Sequence, residues 1–282
     1  MLHVTNGDIA AGRLSRVFAG DVLPWRDVLH EGPVRAGLSL AELSEERARF
    51  IADAGWGQLA DLRKHFVDRD KAIRGGADHD EVVLWFEHDL TDQLQLLQLL
   101  DWFHAHPHPR LSLVCEAQYV SHMGPARMRE LFASRRSVPR EMLKEGRDAW
   151  AAFRSPDPSR IPTATAMPFL GAALRRQLQE FPWTTDGLSL LERRILEALS
   201  SGPVEFATLF ERTREDPAYF GDTVLRWHLE RMAGEGLVAR RDGSWVLKSR
   251  RRERRIPRWL GGVLVDEHSP WRWDPAAEKI GV

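Results

Sequence analysis

Three times in the first half of the chain a short, unbroken apolar run passes through a polar turn into a helical pattern, and no other feature restricts the fold as much. "LHVT" leads through Asn6-Gly7-Asp8 into "IAAGRLSRVF". "VVLWF" leads through Glu87-His88-Asp89 into "LTDQLQLLQLLDWF", and "LSLVC" through "EAQYVSHMGP" into "ARMRELFAS". A strand wetted on one face alternates apolar with polar residues; continuous apolar runs mark strands covered on both faces. Repeated strand, loop and helix specify a parallel sheet with right-handed crossovers. A further strand is expected at "DVL", residues 21–23, where Pro24 ends it or confines it to an edge because proline has no amide for the ladder. The expectation is an α/β fold, with a Rossmann-like, mostly parallel sheet over residues 1–160.

A long helical stretch over 39–76 opens on Ser39 with Glu42 three residues on, a capping box. After Arg154 the composition changes. "SPDPSRIPTATAMP" carries four prolines and reads as a connection, followed by a helix near 169–181, so that residues 161–182 join two parts. Residues 183–255 then show three helical patterns and two strand-like runs around Asp242-Gly243, the order of a smaller winged helix-turn-helix domain. Ser189 and Glu192 form a second capping box, Asp222 is placed to cap the third helix, and Gly234 and Gly236 end it. Asp-Gly between two strand runs is a strong hairpin signal. In the tail, 256–282, Trp259, Trp271 and Trp273 require burial against another part of the chain.

The balance of 43% hydrophobic and 29% charged residues is that of a globular chain, not a disordered one. No apolar run reaches the roughly 18–20 residues needed to span a bilayer, and "MLHVTNGD" lacks a basic segment followed by an apolar one. A cytoplasmic protein with no membrane partner is expected. Cys115, the single cysteine, rules out an internal disulfide and a cysteine-rich metal cage, and its apolar run predicts burial. Net charge is -1, yet residues 240–258 hold nine Lys or Arg against two acids. A near-neutral chain thus carries a local positive patch, suited to nucleic acid or an acidic partner.

The strings "LHVTNGD", "GDVLPWRDVLHEGPV", "LWFEHDLTDQLQLLQLLDWF", "LERRILEAL", "RWLGGV" and "PWRWDP" together resemble the bacterial family called domain of unknown function 1835, in the members that add a C-terminal winged-helix-like segment. The resemblance spans nearly the whole chain. It implies a Rossmann-like N-terminal domain and brings no assigned reaction. Members commonly carry Ser after the Gly-Asp pair, where this chain has Ile9.

In an open parallel sheet, ligands sit beyond the carboxyl ends of the strands where strand order reverses. If the first two apolar runs are neighbours, Asn6, Gly7 and Asp8 share a crevice with Glu87, His88, Asp89, Asp92 and Gln93. Gly7 lets a ligand approach the backbone, but "NGDIAAG" has neither the dinucleotide fingerprint nor a Lys-Ser/Thr pair. The acids repel a phosphate unless a cation intervenes. Asp8, Glu87 and Asp89 are therefore candidate ligands for Mg²⁺, which takes one or two carboxylates plus waters and substrate oxygens. His88 or His30 then serves as general base or acid beside Asp8 and Glu87. Asp89 and Asp92 are also explained by the start of a helix, as N-cap and as a first-turn acid reaching back to the N-cap amide. In "PWRDVLHEGPV", Trp25 offers a ring to stack on a ligand, and Arg26 and Glu31 offer charge, against the alternative of an internal ion pair with Trp25 as core cover. Tyr119 can line the same crevice. In the third helix of the C-terminal part, Leu225, Leu229 and Met232 face a core, while Thr223, Arg226, Trp227 and Arg231, with Arg250, Arg251 and Arg252 beyond, form the candidate nucleic-acid face. An exposed Trp227 points instead to docking on a protein surface.

Two functions follow. The first is a regulator whose α/β crevice senses a small ligand while its winged helix contacts nucleic acid or a protein partner. The second is a metal-assisted hydrolase or transferase acting on a phosphorylated or nucleotide-like substrate.

Overall fold

The computed structural model describes residues 1–217 and 220–282. From the N-terminus, β1 (Leu2–Asn6), α1 (Gly7–Val17), β2 (Asp21–Trp25) and a short β3 (Gly32–Pro33) lead to α2 (Leu40–Asp53) and α3 (Leu59–Arg74). There follow β4 (Val82–Glu87), α4 (Leu90–Ala105), β5 (Leu111–Glu116), α5 (Pro125–Ala133), the two-residue β6 (Arg136–Ser137) and α6 (Arg140–Phe153). The chain is α/β, with a five-stranded sheet in the order β2-β1-β4-β5-β6. Its first four strands are parallel and β6 is antiparallel. β1 lies inside the sheet; the chain leaves it to one side for β2 and then crosses to the other side for β4. Strand order thus reverses between β1 and β4. β2 extends one residue past Pro24, which the edge position tolerates.

Both faces of the sheet are covered, as the unbroken apolar strands require. Val83, Trp85 and Val114 face α1 and α5 through Ala10, Leu14, Met128 and Leu131. Val4, Leu84 and Phe86 face the leucine-rich α4, which α6 and α7 (Leu170–Leu178) cover from behind. α4 is buried nearly all round, so its leucines form no single stripe. Gly146 of α6 permits that packing: a Cβ there would stand 2.5 Å from Leu100 Cβ.

The stretch 39–76 is two helices, not one. The chain turns at Ala54-Gly55-Trp56-Gly57, with Gly55 in the left-handed region at φ +77°. The capping boxes at Ser39/Glu42 and Ser189/Glu192 are both formed.

The C-terminal part comprises α8 (Leu190–Ala198), α9 (Phe206–Thr213), α10 (Asp222–Gly234) and the hairpin β7 (Val238–Arg241) and β8 (Ser244–Leu247), followed by small strands β9 (Arg258–Gly261), β10 (Val263–Val265), β11 (Arg272–Asp274) and β12 (Lys279–Gly281). The hairpin turns on Asp242 and Gly243, both at positive φ. The cap of α10 is Gly221, with Asp222 in the first turn. The tail folds back: β9 pairs in parallel with β3, and Trp273 is buried against residues 182–184, while Trp259 and Trp271 are half-buried. Cys115 is half-buried, less than its apolar run predicts: it lies next to the end of β5, beyond the two residues, Ser112 and Leu113, that the short β6 pairs with. Among the described residues no helix is long and apolar enough to cross a membrane.

Candidate functional site

Glu87 ends β4 and Asp89 starts α4, so the reversal point between β1 and β4 gathers acids by construction. Asp89 is the N-cap of α4: its Oδ1 accepts from the Asp92 amide at 3.0 Å. Asp92, one turn into the helix, reaches past the N-cap amide. Its Oδ1 accepts from the Glu87 amide at 2.9 Å and its Oδ2 from Asn6 Nδ2 at 2.6 Å, tying the ends of β1 and β4 together. Glu87 Oε1 accepts from the Val120 amide at 2.5 Å, and Gln93 Nε2 donates to the Glu87 carbonyl at 2.6 Å.

Glu87, Asp89 and Asp92 are all buried, and each offers a carboxylate oxygen within 4.8 Å of those of the other two. Among the described residues no Lys or Arg pairs with any of them. Burial therefore dominates their acidity. The Glu87 carboxyl is pushed up to about 7 by loss of water and by the neighbouring Asp89 charge. Burial raises Asp89 as well, and burial with two adjacent carboxylates raises Asp92 most clearly. Such a trio stays partly protonated or takes up a cation. With oxygen donors only, it suits Mg²⁺, Mn²⁺ or Ca²⁺ over softer metals.

The structure does not bring Asp8 into this set. Its exposed carboxylate turns away and forms an ion pair with Arg26. Gly7, at φ +67°, opens α1 beside Asn6. Trp25 is fully buried and donates from Nε1 to Gln98 Oε1 at 2.9 Å, so it has no face for a ligand. Glu31 is also buried. It accepts from Arg258 on both oxygens, at 2.9 and 2.6 Å, and contacts His228 Nε2 at 2.8 Å, which makes it the anchor between the β2–β3 loop and the C-terminal part. His30 is enclosed, with Nδ1 3.4 Å from Thr91 Oγ1, and burial pushes it down to about 4. A neutral imidazole there supports the first turn of α4.

His88 projects outward between the acids. It lines a cleft of about 660 Å³ together with Gln118, Tyr119, His122 and Arg214, and its Nδ1 is buried with no hydrogen-bond partner. Tyr119 stacks obliquely on it, with ring centres 5.1 Å apart.

Of the candidate nucleic-acid face, Trp227 packs edge-on to Phe50 and Trp56 at 6.1 and 5.8 Å. Arg231 donates to the carbonyls of Ile256 and Pro257, and the half-buried Arg252 forms ion pairs with Glu192 and Glu235. Thr223 and Arg226 are exposed, Arg226 lying over the Phe206 ring; Arg250 and Arg251 are exposed and form no ion pair among the described residues. Trp227, Arg231 and Arg252 are thus spent on internal docking, because the face of α10 opposite its small core is covered by α2.

Gln95 carries no motif signal. Its Nε2 donates to Asn6 Oδ1 at 3.0 Å and to the Asp27 carbonyl at 2.8 Å, bracing β1 and the β2–β3 loop from α4. The available signal is three glutamines, 93, 95 and 98, inside an otherwise leucine helix: buried amides need partners.

No family model matches the chain, and no curated protein is significantly similar to it.

Proposed function

We propose that the crevice between β1 and β4 binds a divalent cation through Glu87, Asp89 and Asp92 and serves as a metal-assisted hydrolase or transferase on a phosphorylated or nucleotide-like substrate. The observation that carries this is the convergence of three buried carboxylates, unpaired with any Lys or Arg among the described residues, at the point of strand reversal. A bound cation polarises a phosphoryl oxygen and makes its bound water more acidic. His88, at the mouth of the adjoining cleft, is the proposed proton carrier; the cleft wall also holds Arg214, which lies 3.7 Å from Glu211, with Glu215 and Asp216 beside them. The residues of the crevice fall within "LHVTNGD" and "LWFEHDLTDQ", so the likeness to domain of unknown function 1835 belongs to the same proposal.

Mg²⁺ or Mn²⁺ is expected to raise the melting temperature, with about 2.7 kcal/mol of stabilisation at a hundredfold excess over Kd. Glu87→Gln/Asp89→Asn should abolish the shift, because both amides keep their hydrogen-bonding oxygens and lose the charge. Asp8→Ala should leave it intact. A melting temperature blind to both metals would count decisively against the site.

A second role is supported by the exposed guanidiniums. The order α8, α9, α10, β7, β8 supports reading this part as a winged helix; with α10 turned inward to the α/β part, nucleic acid would meet the hairpin and the segment after it. Arg240, Arg241, Arg250 and Arg251 are exposed and in no ion pair among the described residues, suited to phosphates and not to base edges. Sequence-independent binding with a salt slope of about -4 at most is expected, weakened by Arg250→Glu/Arg251→Glu. Absence of binding at low salt would exclude it.

A further inference from the structure

The three carboxylates between β1 and β4 carry six oxygens, and four of these already accept a hydrogen bond. Glu87 Oε1 takes the Val120 amide and Asp89 Oδ1 the Asp92 amide. Both oxygens of Asp92 are engaged, Oδ1 by the Glu87 amide at 2.9 Å and Oδ2 by Asn6 Nδ2 at 2.6 Å. Glu87 Oε2 and Asp89 Oδ2 accept none among the described residues. Their residues are each 7% exposed, and neither atom is sealed from solvent in the way that an unpartnered core atom such as Gln98 Nε2 is. A cation entering the crevice therefore meets two open carboxylate oxygens, one on each of two side chains.

The hydrogen bond from Asn6 to Asp92 is fixed from outside the trio. Gln95 Nε2 donates both to the Asp27 carbonyl at 2.8 Å and to Asn6 Oδ1 at 3.0 Å. A carbonyl only accepts, so the Gln95 amide cannot turn over without losing that bond. Its nitrogen holds the oxygen of Asn6, and the nitrogen of Asn6 is thereby turned to Asp92. Asp92 meets an N–H donor on each oxygen, and a cation that drew both oxygens would break the tie between β1 and α4.

Cations differ in how many oxygens they require. Ca²⁺ takes about 6–8, often both oxygens of one carboxylate, whereas Mg²⁺ keeps several waters and is held by one or two carboxylates. Two open oxygens meet the second requirement and fall short of the first. We infer that the crevice selects Mg²⁺ or Mn²⁺ over Ca²⁺, holding the ion through Glu87 Oε2 and Asp89 Oδ2 with water in the other positions, and that Asn6 is the positioning residue that keeps Asp92 from direct contact with the metal. The inference rests on the cation site proposed above and narrows it: Asp92 supplies charge and anchorage, and the water-filled positions are left for substrate oxygens.

The test titrates the full chain with MgCl₂, MnCl₂ and CaCl₂, read by melting temperature, and counts the waters on bound Mn²⁺ by EPR in ¹⁷O-enriched water. Mg²⁺ and Mn²⁺ should raise the melting temperature, Ca²⁺ should need at least about tenfold more for the same shift, and Mn²⁺ should carry about four waters, the rest of an octahedron. Asn6→Ala releases Asp92 Oδ2. It should improve Ca²⁺ relative to Mg²⁺ about tenfold, the size of effect that outer hydrogen-bond partners have on metal affinity, and remove about one water from Mn²⁺. A merely structural role for Asn6 would lower every melting temperature and leave the order of the cations and the water count alone. Ca²⁺ as effective as Mg²⁺ on the unmodified chain, clearly fewer waters on Mn²⁺, or unchanged selectivity in Asn6→Ala would each overturn this inference while the cation site itself stands. No response to any of the three cations would remove both. The comparison of cations on the unmodified chain needs no variant to fold.

Discussion

Glu87→Gln is expected to stabilise the protein by about 3 kcal/mol at pH 8 and to change little at pH 4. The carboxyl of Glu87 is raised to about 7 in the fold by burial and by Asp89, from 4.5 in the open chain. A raised carboxyl means that the native state holds its proton longer than the unfolded one. Below pH 4.5 both states are protonated and the residue is neutral to stability. Between pH 4.5 and 7 the unfolded chain ionises first, and native stability falls, at 1.36 kcal/mol for each pKa unit, until both states are charged. Glutamine escapes this loss, and its carbonyl can still accept from the Val120 amide, the hydrogen bond that the Glu87 side chain receives. Urea unfolding from pH 4 to pH 8 reads the effect directly: the two proteins should agree at the acid end and diverge as pH rises. Saturating Mg²⁺ should restore the wild type and leave the variant where it is. Parallel profiles would mean that the carboxylate is not desolvated, and the metal proposal would lose its physical basis.

Arg47→Met is expected to cost about 4 kcal/mol, as the loss of one partner from a fully buried ion pair does. Arg47 is entirely buried on α2. Its guanidinium gives Nε to Asp27 at 2.9 Å, Nη1 to the carbonyls of Glu31 and Pro33 at 2.7 and 3.2 Å, and Nη2 to that of Val28 at 2.9 Å. Methionine fills much of the volume but strands a buried carboxylate and three carbonyls. The β2–β3 loop would lose its support, and with it Glu31, the buried anchor for His228 of α10 and Arg258 of β9. Adding Asp27→Leu should recover part of the loss, since the charge that Arg47 balances is then gone. A cost under 1 kcal/mol in denaturant unfolding would show that the loop does not rely on this pair.

The sheet is legible in the sequence because its signal is local and repeated. "VVLWF" and "LSLVC" declare strands covered on both faces whatever lies over them, and Ser39/Glu42, Ser189/Glu192 and Asp242-Gly243 close their caps and turn within a few residues. Asp89 as N-cap belongs to the same class. The stretch 39–76 reads as one long helical region because charged helical patterns lie on both sides of Gly55 and Gly57, yet those two glycines are where the chain breaks it. The acids at 87, 89 and 92 are in plain view, but their division of labour is not. Asp92 carries a carboxylate that fits the first turn of any helix, and only Asn6, 86 positions away, draws it across to β1. Asp8 stands two positions from Asn6 in the chain and so groups with the cluster on sequence, yet Arg26 holds it outward.

The chain by itself determined that the strands would be parallel and doubly covered, that α2, α4 and α8 would start on Ser39, Asp89 and Ser189, and that acids would collect at the carboxyl end of β4, because periodicity and capping act over one or two turns. Tertiary structure alone decided which of those acids meet, that Trp25 and Glu31 are spent inside, and that α10 turns Trp227 onto Phe50 and Trp56. Those outcomes depend on pairs such as Glu31 and Arg258, 227 positions apart, whose approach costs loop-closure entropy that only the finished core repays.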